Sequence, residues 1–249
     1  MPIPPTNSND AAQKIPAAKS SSKMSLGSRV VATFSLSLIA IVGVLFIPAG
    51  TLRFWQAWAY IAIFFVPLLS AYLFFLKHDP EMLRRRLADD EQVSEQKQLM
   101  RWTRPLSFAI LLFPGFDHRF GWSSSLLGVE PLWLTVLSQF LVLAGMFSVI
   151  WVMNVNRFGG ATVVVEAGQR VISTGPYRIV RHPMYAAGAV MWLFTPLALG
   201  SGLSLPAFAL VIPFCVLRIR NEEKVLREHL PGYRDYCLRT RYRLIPLIW

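Results

Sequence analysis

Three uninterrupted apolar runs constrain this chain more than anything else in it: about Val30 to Pro48, Trp55 to Leu76, and Pro131 to Met153. A bilayer core about 30 Å thick takes roughly 20 apolar residues of helix to cross, and each run reaches that length. Inside lipid no water satisfies the peptide groups, so such runs fold as helices that bond to themselves. The composition agrees, with 54% hydrophobic and 16% charged residues and a mean hydropathy of +0.44. The fold class is therefore an all-α integral membrane protein. The first run is long enough to span and lacks a small-residue cleavage site, so it reads as a membrane helix rather than a secretory signal. Pro67 is positioned to kink the second.

The remaining segments are arranged around these spans. Residues 1–28 are rich in Pro, Ser, Ala and Asn, too polar to bury a core, and read as a disordered cytoplasmic tail. Between Lys77 and Arg104, Asp79-Pro80-Glu81 opens a helix on which Met82, Leu83 and Leu87 lie beside Arg84, Arg85 and Arg86, the pattern of an amphipathic helix on the inner leaflet. The run from Leu106 to Phe116 is too short to cross alone, so a helix starting near Gln98 completes the span with Trp102 and Arg104 at the interface. Asp117 to Trp122 then reads as an outer loop. The last apolar block, Tyr185 to Leu217, is interrupted by Gly200, Ser201 and Gly202, the pattern of a helical hairpin with two short arms. About six crossings result, with N-terminal transmembrane helices over 29–153 and a C-terminal region over 154–249 that carries the chemistry. The net charge of +11 follows the membrane: with both termini and alternate loops on one side, only Arg53 and Arg119 of the 25 basic residues fall on the other. The basic face is the cytoplasmic one, an anchor toward anionic lipid. No nucleic-acid module competes for that charge.

The chemistry concentrates on the same face, from Ser173 to Trp192. There Gly175-Pro176 marks a turn, Arg178, Arg181 and His182 follow, and Pro183 takes the first helical position with His182 as cap. A helix starting there turns unpaired N–H groups and the positive end of its dipole outward, which suits an anion. Upstream, Gly159-Gly160 and Ala167-Gly168 bracket a β-branched run that reads as a loop with extended backbone. Downstream, Arg218 and Glu222 share a helix face where the chain leaves lipid, while Glu223 and Arg227 have the spacing of a surface pair. His182 is also readable as a simple polar cap. Cys215 and Cys237 make no disulfide framework, and no metal-ligand spacing occurs, so no metal is expected.

The motifs G-P-Y-R-x-x-R-H-P-x-Y-x-x-G from Gly175 to Gly188, R-x-x-x-E-E from Arg218 to Glu223, G-Y-x-x-Y from Gly232 to Tyr236, and the ending R-Y-R-L-I-P to Pro246 resemble the isoprenylcysteine carboxyl methyltransferase family and its bacterial members. Phospholipid N-methyltransferases share a weaker form of the pattern. D-P-E-M-L and D-H-R-F-G-W in the N-terminal half are similar to stretches of bacterial members.

That resemblance implies a cytoplasmic pocket in a bacterial inner-membrane enzyme that binds S-adenosyl-L-methionine and methylates a lipophilic acceptor. It implies main-chain contacts from Gln169, Arg170, Val171 and Ile172, packing of Tyr177 on the cofactor, a hold by His182, Pro183, Met184 and Tyr185 at the helix start, and Glu222 as the cofactor-binding acid. Arg218 matches the arginine that engages the acceptor. Glu166 aligns only loosely and stays outside the set. The acceptor implied first is an isoprenylcysteine-type carboxylate, with a phospholipid amine or a small thiol as alternatives. An NADPH-dependent membrane reductase is another reading, since sterol reductases carry a similar R-H-P-x-Y pattern near a C-terminal hairpin; a non-catalytic scaffold is a third.

Overall fold

A computed structural model describes residues 24–87, 94–158, 165 and 168–249. Most of the expected disordered tail and the Gly159 to Ala167 loop, Glu166 included, lie outside the described residues. Among the described residues there are ten α-helices and no strand: α1 (Leu26–Ala49), α2 (Trp55–His78), α3 (Pro80–Arg86), α4 (Ser94–Phe120), α5 (Trp122–Leu127), α6 (Leu132–Val155), α7 (Pro183–Ala198), α8 (Leu205–Ala209), α9 (Ile212–His229) and α10 (Tyr233–Arg239).

α1, α2, α6 and the stretch Gly202–His229 are long and apolar enough to cross a bilayer. Their outward residues, such as Leu36, Ile39, Val66, Leu73, Phe140 and Phe147, are large, apolar and exposed, as lipid-facing positions should be. Two of the six expected crossings differ. α4 carries Lys97, Arg101 and Arg104 in its first half, and α7, with 16 residues, is only about 24 Å long. The second hairpin arm is longer than expected: it runs to His229 rather than ending at Leu217. Pro67 stays within an unbroken α2.

With little hydrophobic drive between helices in lipid, close approach of small residues decides the packing. A Cβ on Gly115 of α4 would sit 2.6 Å from the Leu45 carbonyl oxygen of α1, and one on Gly145 of α6 would sit 2.4 Å from Met191 Cγ of α7. The central core joins Leu45, Phe46, Phe54, Tyr60, Phe65, Val142 and Leu199. Gln139 Nε2 stitches three elements through bonds to the Ala198 carbonyl at 3.1 Å and the Gln56 carbonyl at 3.4 Å.

Two segments depart from the sequence reading. α3 does not lay its apolar face on lipid: Met82 and Leu83 are fully buried against Val30, Ala71 and Phe75, and Arg29 Nη2 donates to the Leu87 carbonyl at 2.9 Å. Docked this way, the short helix points its last turn at the region between α7 and α9. The expected outer loop at Asp117 to Trp122 is helical except at Gly121, whose φ of 67° lets α4 turn into α5. Asp117 is buried there because Ser123 N donates to it at 2.7 Å and the Ser123 and Ser201 hydroxyls do the same, so no water is required at its carboxylate.

Candidate functional site

Below α7, the chain from Gly168 to Thr174 has neither helix nor strand. It enters a 3-10 turn over Gly175–Arg178, made feasible at Gly175 by a φ of 57°. The turn is pinned from the far end of the chain, because Tyr236 Oη and Thr240 Oγ1 both donate to the Tyr177 carbonyl, at 2.8 and 3.2 Å. Tyr177 in turn accepts from Asn156 Nδ2 at 2.8 Å, and burial pushes its phenol above the ordinary value. Arg181 N and His182 N then pair with the Tyr242 and Arg243 carbonyls, both at 2.9 Å, so the tail runs alongside the start of α7.

A cavity of about 310 Å³ opens between these pieces, within the range of small-molecule sites. Its walls come from four directions. The irregular segment contributes Gln169, Arg170, Val171 and Ile172, and the 3-10 turn contributes Tyr177. The start of α7 supplies His182, Pro183, Met184 and Tyr185, while α9 supplies Arg218, Glu222 and Leu226. The structure thus brings all eleven residues that the resemblance implies for the site to one cavity, whereas Arg178 and Glu223 of the same motifs do not line it. Tyr233 and Tyr236 of α10 close the floor, packed with Leu230 and Val171.

Arg218 and Glu222 meet through Tyr185. Arg218 Nε donates to Tyr185 Oη at 2.8 Å, and that hydroxyl donates to Glu222 Oε2 at 2.8 Å. The relay fixes a cation and an acid on the cavity wall across a gap between α7 and α9. Gln96 of α4 adds a bond from Nε2 to the Arg218 carbonyl at 3.0 Å, tying α4 to the same turn of α9.

His182 and Glu223 differ from the sequence reading. Glu223 is no surface residue: it is 3% exposed and receives Arg181 Nε at 2.7 Å, Arg243 Nε at 3.0 Å and Arg227 Nη2 at 3.2 Å. The expected pair with Arg227 exists, but as the outer spoke of a buried hub. His182 makes no side-chain cap to α7; its ring is buried with Nε2 3.4 Å from Glu223 and Nδ1 4.0 Å from Glu222. The anion beside the imidazole is therefore an internal carboxylate. His182 and Glu222 nevertheless lie close enough to touch one small molecule.

Arg86, at the end of α3, also lines the cavity and no motif pointed to it. Its Nη1 donates to Met184 Sδ at 3.0 Å, whereas Nε and Nη2 are buried without a hydrogen-bond partner. Burial lowers its proton affinity, opposed by Tyr177, Glu222 and Tyr185 nearby. A buried unpaired donor costs about 1–3 kcal/mol, and more on a charged group, so the position is unfavourable without an acceptor. Nothing in R-R-R distinguishes the third arginine from its neighbours. Among the described residues no cluster of three metal-ligating side chains occurs.

Residues 133–231 match the family described as phospholipid methyltransferase. The chain is also similar to a Delta(14)-sterol reductase of Mus musculus, at 30% identity over 95 residues. That alignment covers 36% of this chain and 22% of the reductase, so the chain spans about a fifth of that protein's length. The family match runs from α6 through α9, the elements that supply Asn156, Tyr177, His182, Tyr185, Arg218 and Glu222 to the cavity. Most of the cavity-lining stretch is thus similar to the phospholipid methyltransferase family, whose pattern the motifs share in a weaker form, while Arg86, Tyr233 and Tyr236 lie outside the match.

Proposed function

We propose that this protein is a membrane-embedded methyltransferase that binds S-adenosyl-L-methionine and methylates a lipophilic acceptor at the cytoplasmic face, first among candidates an isoprenylcysteine-type carboxylate. The observation that carries the reading is the convergence on one cavity of all eleven residues that the resemblance implies. The donor set fits the cofactor's chemistry. Glu222 is held by Tyr185 on one oxygen and turns the other toward His182, an arrangement suited to ribose hydroxyls or an α-ammonium. Tyr177 and the irregular 169–172 segment suit an aromatic base and its edge. Arg86 has buried donors for a carboxylate.

When bound, the cofactor supplies an electrophilic methyl on a sulfonium. Glu222, His182 and Tyr177 would hold that group, and transfer of its methyl to a carboxylate, with a thioether as the leaving group, would neutralise the charge on both partners. A carboxylate acceptor is already ionised at neutral pH and requires no general base. Arg218, oriented by Tyr185, directs the acceptor oxygens, and the largely apolar walls keep water away while the reacting atoms align. A phospholipid amine or small thiol is the alternative acceptor. The count of basic residues supports a cytoplasmic mouth, and the resemblance to bacterial members of the isoprenylcysteine carboxyl methyltransferase family supports a bacterial inner membrane.

The test is calorimetry of the full-length protein with S-adenosylhomocysteine. Glu222→Ala abolishes binding, whereas Arg218→Ala retains it and loses turnover; tight binding by the Glu222 variant refutes the assignment. The similarity to a sterol reductase favours a second reading, an NADPH-dependent reductase. A thermal melt separates the two, since only the true ligand raises the midpoint. Stabilisation by NADPH and not by S-adenosylhomocysteine would replace the first reading with the second.

A further inference from the structure

We propose that Arg86 is the anion anchor of the cavity and that its occupant presents a carboxylate there, an inference that rests on the methyltransferase reading. Among the described residues, every other basic side chain at the site has a protein partner or lies outward. Arg181 gives Nε to Glu223 and Nη1 to the Thr240 and Arg241 carbonyls, at 2.9 and 2.8 Å. Arg243 and Arg227 are held by Glu223, His182 lies between two acids, Arg218 is engaged by Tyr185, and Arg170 is exposed.

Arg86 alone among these brings buried guanidinium nitrogens, Nε and Nη2, without an acceptor to the cavity wall. The two lie on one edge of the fork, the geometry that a carboxylate fills with two parallel bonds. The nearest acid, Glu222, has one oxygen committed to Tyr185 and makes no hydrogen bond to Arg86, although it attracts it. Docking of Met82 and Leu83 fixes α3, so the anchor is held in place before any ligand arrives. Two carboxylates have access to such a site: that of the cofactor's amino-acid arm and that of an acidic acceptor.

The experiment uses the full-length protein in lipid nanodiscs and compares wild type with Arg86→Met. Calorimetry with S-adenosylhomocysteine and with its decarboxylated analogue reads the first source. A thermal melt with N-acetyl-S-farnesylcysteine and with its methyl ester reads the second. Loss of about ten- to a hundredfold in affinity, confined to the carboxylate-bearing member of either pair, supports the anchor and identifies its ligand. Equal weakening of both members, or no change in either pair, overturns it. Arg86→Lys, which keeps charge without the fork, gives an intermediate loss for the same member only and serves if the methionine variant does not fold. Wild type that binds no nucleoside refutes the methyltransferase reading. The anchor then stands or falls on whether the wild-type protein is stabilised more by the farnesylcysteine acid than by its ester, a preference that Arg86→Met abolishes.

Discussion

Replacing Glu223 by alanine tests the architecture of the site most directly. The carboxylate is 3% exposed and receives three arginines and sits beside His182. Its principal partner, Arg181, is 6% exposed. Arg181 keeps its two carbonyl acceptors in the variant but loses the one carboxylate among the described residues that neutralises it at hydrogen-bond distance. Removing one member of a buried ion pair costs about 3–5 kcal/mol, because the survivor stays desolvated. The loss falls on the tail, since Arg243 loses its acceptor and the main-chain bonds at 181 and 182 hold the tail to α7. At 1.36 kcal/mol per tenfold, the open population of the tail rises by roughly two to nearly four powers of ten. Limited trypsin digestion under native conditions reads this as faster cleavage at Arg239, Arg241 and Arg243. Glu223→Gln, which keeps the shape and some acceptors, gives a smaller increase. If the alanine variant is cut no faster than wild type, the hub does not hold the tail and the reasoning fails.

Gly115→Ala drives a Cβ to 2.6 Å from the backbone oxygen of Leu45 and should cost about 1–3 kcal/mol in a reversible denaturation series; Gly188→Ala, with nothing within 4 Å, should stay within about 0.5 kcal/mol of wild type, and equal effects would refute the close-approach account. Tyr236→Phe removes the bond to the Tyr177 carbonyl and should cost about 0.5–1.5 kcal/mol, whereas Tyr233→Phe removes a buried hydroxyl that has no partner and should not destabilise the ligand-free protein. Burial holds the phenols of Tyr177, Tyr233 and Tyr236 above their usual value. The unfolded chain therefore ionises first above about pH 10, and stability that is full below that pH should fall as pH rises, by about 1.4 kcal/mol per unit for each phenol still protonated. Denaturation at pH 8, 10 and 11 with tyrosinate absorbance checks this; an unchanged midpoint through pH 11 contradicts it.

The parts of the molecule legible in the sequence are those whose signal is local. α1, α2 and α6 are long apolar runs, and their ends fall within a few residues of expectation. His182, Tyr185, Arg218 and Glu222 were found together because they sit in ordered motifs. Glu223 reads as a surface residue because its spacing to Arg227 reports only a helix pair, whereas Arg181 and Arg243 arrive from 42 and 20 residues away. Asp117 reads as a loop residue in sequence because its burial depends on contacts that no local pattern announces, from Ser123 six residues on and Ser201 84 residues on. Arg86 was invisible for a similar reason: three adjacent arginines look alike until the docking of Met82 and Leu83 decides which of them turns inward.

The cavity is lined from α3, the irregular 169–172 segment, the 3-10 turn, α7, α9 and α10, and the strip at Tyr242 and Arg243 is bonded alongside the start of α7. During synthesis the membrane helices precede Tyr233, Tyr236, Tyr242 and Arg243, so the cavity floor and the bonds at Arg181 and His182 form only after these residues have been made. Quality control in the cell therefore meets a fully inserted but still open protein, and tail clipping by proteases would silence it without extracting a single span.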